Sequence, residues 1–213
     1  MKQDALYQVG NAPFSPTVLA SLLPKTKQIS DKARYLEQEG RIIRLKRGLY
    51  VRSAEDGAMP LPALVANHLY GPSYVSFQTA LRHYGLIPER VYEIQSMTIK
   101  HGRCFDTPLG RFSYRNCSMD YFPIGIRQDQ EGEDTYLVAS PEKAMCDILL
   151  KTAGLSMTNV KRMAAFLESD LRFDMDALRD IDTDLLELCR QKAQVKAETI
   201  TPLIKLAKDA RLV

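Results

Sequence analysis

Apolar residues recur with two periods along this chain, and the changes of period divide it. In FSPTVLASLLPKTKQISDKARYLEQEG (14–40), Val18, Leu19, Leu22 and Leu23 repeat with helical spacing, as do Ala33 and Leu36 further on, with Tyr35 expected on the same inward face. Ser15 followed by Pro16 predicts a helix start, the serine as N-cap and the proline at the first helical position. Pro24 predicts where that helix stops. A second helix is expected to begin near Ser30, as its N-cap, and to stop at Gly40, a residue that tolerates the left-handed conformation. In RIIRLKRGLYVRS (41–53) the period falls to two. Ile43 and Leu45 alternate with Arg44 and Lys46, then Leu49 and Val51 with Tyr50 and Arg52, around a turn at Gly48. A β-hairpin with one apolar and one cationic face is expected.

After a linker, EDGAMP (55–60), helical spacing returns in 61–70 and 76–84, with Pro72 between them and Gly85 and Pro88 closing the second. Period two then predicts strands over 91–100, 110–117 and 134–139, with Thr107-Pro108-Leu109-Gly110 as a turn. From Ser140 the pattern is helical to the end. Ser140-Pro141-Glu142-Lys143 starts a helix whose buried face is expected to be Ala144, Ile148 and Leu149, with Lys143 towards solvent. Helical segments at 157–167, 175–181, 185–195 and 203–210 follow. The expected fold class is α+β. A winged helix-turn-helix over 1–54 precedes a mixed α/β domain over 60–213 with a helical C-terminal part.

Composition narrows this picture little: 213 residues, 45% hydrophobic and 26% charged, are those of an ordinary globular protein. No apolar run approaches the ~20 residues a bilayer requires, and the N-terminus lacks a signal-peptide core. A soluble, cytoplasmic protein is expected. Its four cysteines are widely spaced with no C-x-x-C pair, so zinc is not expected. Cys146 and Cys189 fit as small buried hydrophobes, and a Cys104–Cys117 bridge across a hairpin is conceivable.

Charge changes the picture more. Residues 1–54 hold ten Lys/Arg against four Asp/Glu, a net +6 in a chain that totals +3, leaving −3 for 55–213. Two helices followed by a basic hairpin is the order of a winged helix-turn-helix, in which the second helix enters the major groove and the hairpin lies along the backbone. Lys32 and Arg34 fall early in that helix. Double-stranded DNA is the expected partner.

Catalytic chemistry has little to stand on. His68, His83 and His101 are far apart, and no dinucleotide, phosphate-loop or H-E-x-x-H motif occurs. Glu131, Glu133 and Asp134 fit a solvated loop. A metal-dependent nuclease could be assembled from Glu93, Lys100 and Asp106 only if the strands brought them together.

Four segments carry a family resemblance: RIIRLKRGLYV (41–51), YVSFQTALRHYGLIPE (74–89), TPLGRFSYRN (107–116) and YLVASPEKAMCDIL (136–149). The chain resembles the AbiEi antitoxins of bacterial abortive-infection toxin–antitoxin systems over most of its length. The resemblance implies an N-terminal winged helix that represses its own operon at inverted repeats, with two protomers on the DNA. It also implies a C-terminal antitoxin domain that counteracts a nucleotidyltransferase-like toxin, directly or indirectly. No catalytic residues and no cofactor are implied. DNA-binding positions that carry over are Ser30, Lys32 and Arg34 in the recognition helix, Arg44, Lys46 and Arg47 in the wing, and Lys25 and Lys27 as phosphate contacts. A stand-alone regulator with a ligand-sensing or dimerising C-terminal domain would carry the same segments.

Overall fold

Ser15 and Pro16 start the first helix where expected: the Ser15 hydroxyl accepts from the Val18 N–H at 3.4 Å, at the long end of such contacts. The structure, a computed structural model, describes residues 5–58, 60–88, 92–155 and 157–212. The expected strand at 91–100 therefore begins at a residue, Val91, outside the described ones. A 3-10 turn, Ala5–Val9, leads to α1 (Pro16–Leu22) and α2 (Ile29–Gln38), then to β1 (Ile42–Lys46) and β2 (Leu49–Arg52).

α2 starts earlier than Ser30. Gln28 holds the cap position with no side-chain bond, and Ser30 lies inside the first turn. The stripe Ile29, Ala33, Leu36 explains this, because Ile29 packs against the same small core as the other two and tertiary burial outweighs the cap. Tyr35, expected inward, is 50% exposed. That small core is completed by Leu6, Phe14, Leu19 and Ile42. Phe14 also exchanges backbone hydrogen bonds with Tyr50 at 2.7 and 2.9 Å, adding a one-residue third rung to the hairpin.

The hairpin departs from strict alternation. Register slips between Arg44 and Lys46, a bulge that turns the strand end. Ile42 is therefore buried in the small core, while Leu45, three residues on, is buried in a second, larger one together with Val51. The expected boundary at 54 lies two residues beyond the end of β2, and the larger core reaches across it.

That larger core is built on a six-stranded mixed sheet. Helix α3 (Pro62–Leu69), β3 (Ser73–Val75) and α4 (Phe77–His83) precede β4 (Glu93–Thr98), β5 (Arg103–Thr107), β6 (Gly110–Asn116), β7 (Ile126–Glu131) and β8 (Asp134–Ala139). Their spatial order is β5-β6-β4-β3-β8-β7. The β4–β6 and β3–β8 pairs are parallel and the others antiparallel. Three strands escaped the sequence reading. β3 is three residues long, and β5 and β7 are edge strands whose polar sequences, RCFDT and IRQDQE, carry no apolar face.

Helix α5 (Pro141–Lys151) follows, then α6 (Val160–Ala165) running into a π turn at Phe166–Asp170, a 3-10 turn at Met175–Asp180, α7 (Thr183–Lys192) and α8 (Thr201–Ala210). The chain is thus α+β. Among the described residues no helix is long and apolar enough to cross a membrane. All four cysteines are free thiols, so the conceivable Cys104–Cys117 bridge is not formed: Cys104 is exposed opposite Ser113 while Cys117 is buried beyond the end of β6.

α5 is the most deeply placed element, with every residue from Glu142 to Leu150 buried. Lys143, expected to face solvent, is fully buried instead. Its ammonium donates to the Tyr121 carbonyl at 2.8 Å, lies over the Tyr121 ring at 2.9 Å from the centroid, and sits 3.8 Å from the Asp147 carboxylate one turn on. Asp147 in turn accepts from the hydroxyls of Ser76 (2.6 Å), Tyr121 (2.7 Å) and Tyr74 (3.1 Å). Burial pushes the Asp147 carboxyl up, opposed by Lys143 and these three hydroxyls, and pushes the Lys143 ammonium down, opposed by Asp147. Removing one member strands the other in the interior. Asp147→Ala is expected to cost about 3–5 kcal/mol, and the double replacement Lys143→Met with Asp147→Leu far less than the two single costs added. Urea unfolding of the parent, Asp147→Ala, Lys143→Met, Asp147→Leu and the double variant measures both.

Candidate nucleic-acid interface

The exposed face of α2 follows from its buried one. With Ile29, Ala33 and Leu36 turned inward, Ser30 and Arg34 share the outer face one turn apart, and Lys27 precedes Ser30 by three residues. Lys25 and Lys27 stand exposed on the connection from α1. Lys32 is half-buried, its ammonium 4.4 Å from the centre of the exposed Tyr35 ring. Sequence reasoning missed Tyr35 because an i, i+3 pattern of Leu36 with Ala33 leaves its neighbour's side ambiguous. As an exposed ring with the Lys32 ammonium over it, it belongs to the candidate surface.

On the hairpin, Arg44 is exposed mid-strand and Arg47 is exposed at the tip beside Gly48, whose φ of +74° the turn requires. Among the described residues, the side chains of Lys25, Lys27, Arg34, Arg44 and Arg47 take part in no ion pair or hydrogen bond. Their charges are therefore available to a partner.

Lys46 is placed differently. The bulge before it turns its ammonium onto the back part of the chain, where it donates to the Leu69 carbonyl and lies 5.6 Å from the Phe105 ring centre. Burial, and the nearby charges of Lys100 and Arg103, lower its pKa. Arg52, the last hairpin cation, is buried with its guanidinium over the Tyr7 ring at 4.3 Å.

Elsewhere the groups considered for catalysis stay apart. Glu93 and Asp106 both flank Arg111, their partner across β6, and Glu93 accepts from Arg111 at 3.3 Å and from Ser113 at 2.9 Å. Lys100 lies beyond the far end of β4, seven residues and roughly 23 Å of strand away, donating to the Gly71 carbonyl. Among the described residues no group of three or more His, Cys, Asp or Glu could hold a metal ion. His83 pairs with Asp129 at 2.5 Å, and that hydrogen bond lowers the Asp129 carboxyl. His68 is exposed on α3, with its pKa lowered by partial desolvation, and His101 is exposed in a loop. Glu131 and Glu133 are exposed at the β7–β8 turn, and Asp134 accepts from the Asn11 amide at 2.8 Å. Cys117, Cys146 and Cys189 are buried, and burial pushes the Cys146 thiol up and the Cys117 thiol up to about 11, which disfavours the thiolate at both.

No protein-family model and no curated protein matches the sequence. Among solved structures, a protein from Mycobacterium tuberculosis, RV2827C, shares the fold, with a TM-score of 0.63 at 15% identity. The match covers 96% of this chain and 76% of that one, so the likeness spans front and back parts together.

The two neighbouring hairpin cations separate cleanly in stability. Lys46→Ala should cost about 1–2 kcal/mol, through the lost hydrogen bond to Leu69 and lost stem packing. Arg47→Ala should stay within about 0.5 kcal/mol of the parent. Thermal or urea melts of both variants check this.

Proposed function

We propose that residues 1–54 form a winged helix-turn-helix that binds double-stranded DNA, with α2 as recognition helix and β1–β2 as wing. One observation carries the reading: Lys25, Lys27, Arg34, Arg44 and Arg47, on successive elements of one small module, are exposed and unpaired. A surface left with this much uncompensated charge attracts a polyanion, since each Lys/Arg–phosphate contact releases condensed counterions. The order of elements supports it, with the Phe14–Tyr50 bridge acting as the short third strand of the wing's sheet. Ser30, Arg34 and Tyr35 face outward where base edges would be read, while Lys25, Lys27, Arg44 and Arg47 position the module on phosphates. Lys32 supports this face through its stack on Tyr35, and Lys46 serves the seam with the back part.

The likeness to AbiEi antitoxins extends the proposal. The protein would act in the cytoplasm as an autorepressor, two protomers reading an inverted repeat, while residues 60–213 counteract a nucleotidyltransferase-like toxin. A neighbouring gene for such a toxin would support this. Without one, a stand-alone regulator is the reading that remains, and the cleft of about 180 Å³ among Val75, Thr79, His83, Ile94 and Tyr136 would be its ligand site.

Fluorescence anisotropy on the DNA upstream of its own gene, against scrambled duplex at two salt concentrations, tests the core of the reading. Tight, selective binding that weakens steeply with salt is expected, and weak, equal binding to both duplexes would end it. Arg47→Ala should weaken binding to every sequence and flatten the slope of log affinity against log salt by about one unit. Arg34→Ala should cost roughly 1–3 kcal/mol on cognate DNA and relax preference at one position.

A further inference from the structure

Beyond the helix and hairpin, a second cationic group lies on the back part of the chain against the wing. Lys46 of β1 and Arg103 of β5 approach the same aromatic ring: the Lys46 ammonium is 5.6 Å and the Arg103 guanidinium 5.0 Å from the Phe105 centroid. Phe105 packs on Tyr70 at 5.6 Å, and the Lys100 ammonium lies 5.3 Å from the Tyr70 ring. Three cations are thus held around one aromatic pair, with Tyr114 closing the cluster edge-on to both rings.

The backbone completes the arrangement. The Leu69 and Gly71 carbonyls accept from Lys46 and Lys100, and each ammonium has three protons to give. Among the described residues no carboxylate pairs with Lys46, Lys100 or Arg103. Lys100, His101 and Gly102, in the loop that joins β4 to the edge strand β5, and Arg103, the first residue of that strand, are all exposed. Like charges gathered without a counter-charge repel one another, and the aromatic rings fix them in place rather than neutralise them. Their repulsion is felt at Lys46, whose pKa is lowered by burial and then by Lys100 and Arg103.

We infer that Lys100 and Arg103, with Lys46 between them and the wing tip, form a phosphodiester-binding site that continues the DNA track from Arg44 and Arg47 onto the back part of the chain. The inference rests on the DNA-binding reading above and deepens it. The footprint would extend past the winged module, and the net acidity of residues 55–213 would conceal a basic strip beside the hairpin. Duplex DNA, with one negative charge per about 1.7 Å of axis, offers the regular row of anions that such a strip fits.

Lys100→Gln/Arg103→Gln tests the site, because both side chains are exposed and Lys46, which also holds the seam, is left intact. Lys205→Gln/Lys208→Gln, two exposed changes on α8, controls for net charge. Anisotropy on the upstream duplex between about 50 and 200 mM salt should show the double variant losing one to two units of the log–log salt slope, and roughly tenfold to sixtyfold in affinity near 0.1 M. The Lys205/Lys208 control and the melting temperatures should be unchanged. Affinity and slope equal to the parent's, while Arg47→Ala still weakens binding, would overturn this site and leave the winged module standing. A parent protein that binds no DNA would remove both.

Discussion

Asp147 is a carboxylate in a place where charge is expensive, and much of the sheet-bearing part is arranged around making it tolerable. Its three hydroxyl donors come from β3, from the residue before α4 and from the segment after β6, while Lys143 comes from its own helix. A single side chain thus ties the centre of the sheet to the helix packed on it. Asp147 also explains a local oddity. Ser76 sits at the N-cap position of α4 but gives its hydroxyl to Asp147 instead of the helix, and the next residue, Phe77, takes a left-handed φ of +57°. A non-glycine residue holds such a conformation only where its surroundings insist on it, at a cost of order 1–3 kcal/mol. Buried at 4% exposure with the Arg115 guanidinium over its ring, Phe77 is so held.

What could be read from the chain in advance was whatever local chemistry decides. Ser15-Pro16, Gly40, Gly48 and Ser140-Pro141 mark real boundaries because caps, stops and tight turns depend on one residue's own conformational freedom. Helix α2 could be placed but its start could not, since Ile29 is recruited by a core that no local pattern reveals. Lys143 was misplaced for a related reason. Helical periodicity sorts lysine to the outside by default, and only the approach of Tyr121 and the Tyr74–Ser76 segment, distant in sequence, makes a buried ammonium possible. Edge strands β5 and β7 were invisible because their pairing is dictated by neighbours rather than by alternation of their own.

The candidate interface divides the same way. Its exposed cations were nameable from sequence, since a basic hairpin after two helices is itself a pattern. The difference between Lys46 and Arg47 was not. One bulge sends adjacent cations to opposite duties, one to the seam and the other to the tip. Tyr35 likewise emerges only from the direction in which α2 packs. The fold shared with the mycobacterial protein at 15% identity fits this division, because packing geometry can persist where few side chains are held in common.

Ile42 and Leu45 sit on one short strand yet belong to different cores, and that has a consequence for how such chains can be rearranged. A cassette cut at the end of β2 would carry away Leu45 and Val51, which close the larger interior, along with the partner of the Leu69 carbonyl. Grafting the front part onto another protein would leave two apolar side chains facing water on one side and a hole on the other. The hairpin therefore behaves less as an appendage than as a keystone shared between two vaults. Recombination between relatives should avoid a crossover at the end of β2, and the front and back parts would then be inherited together.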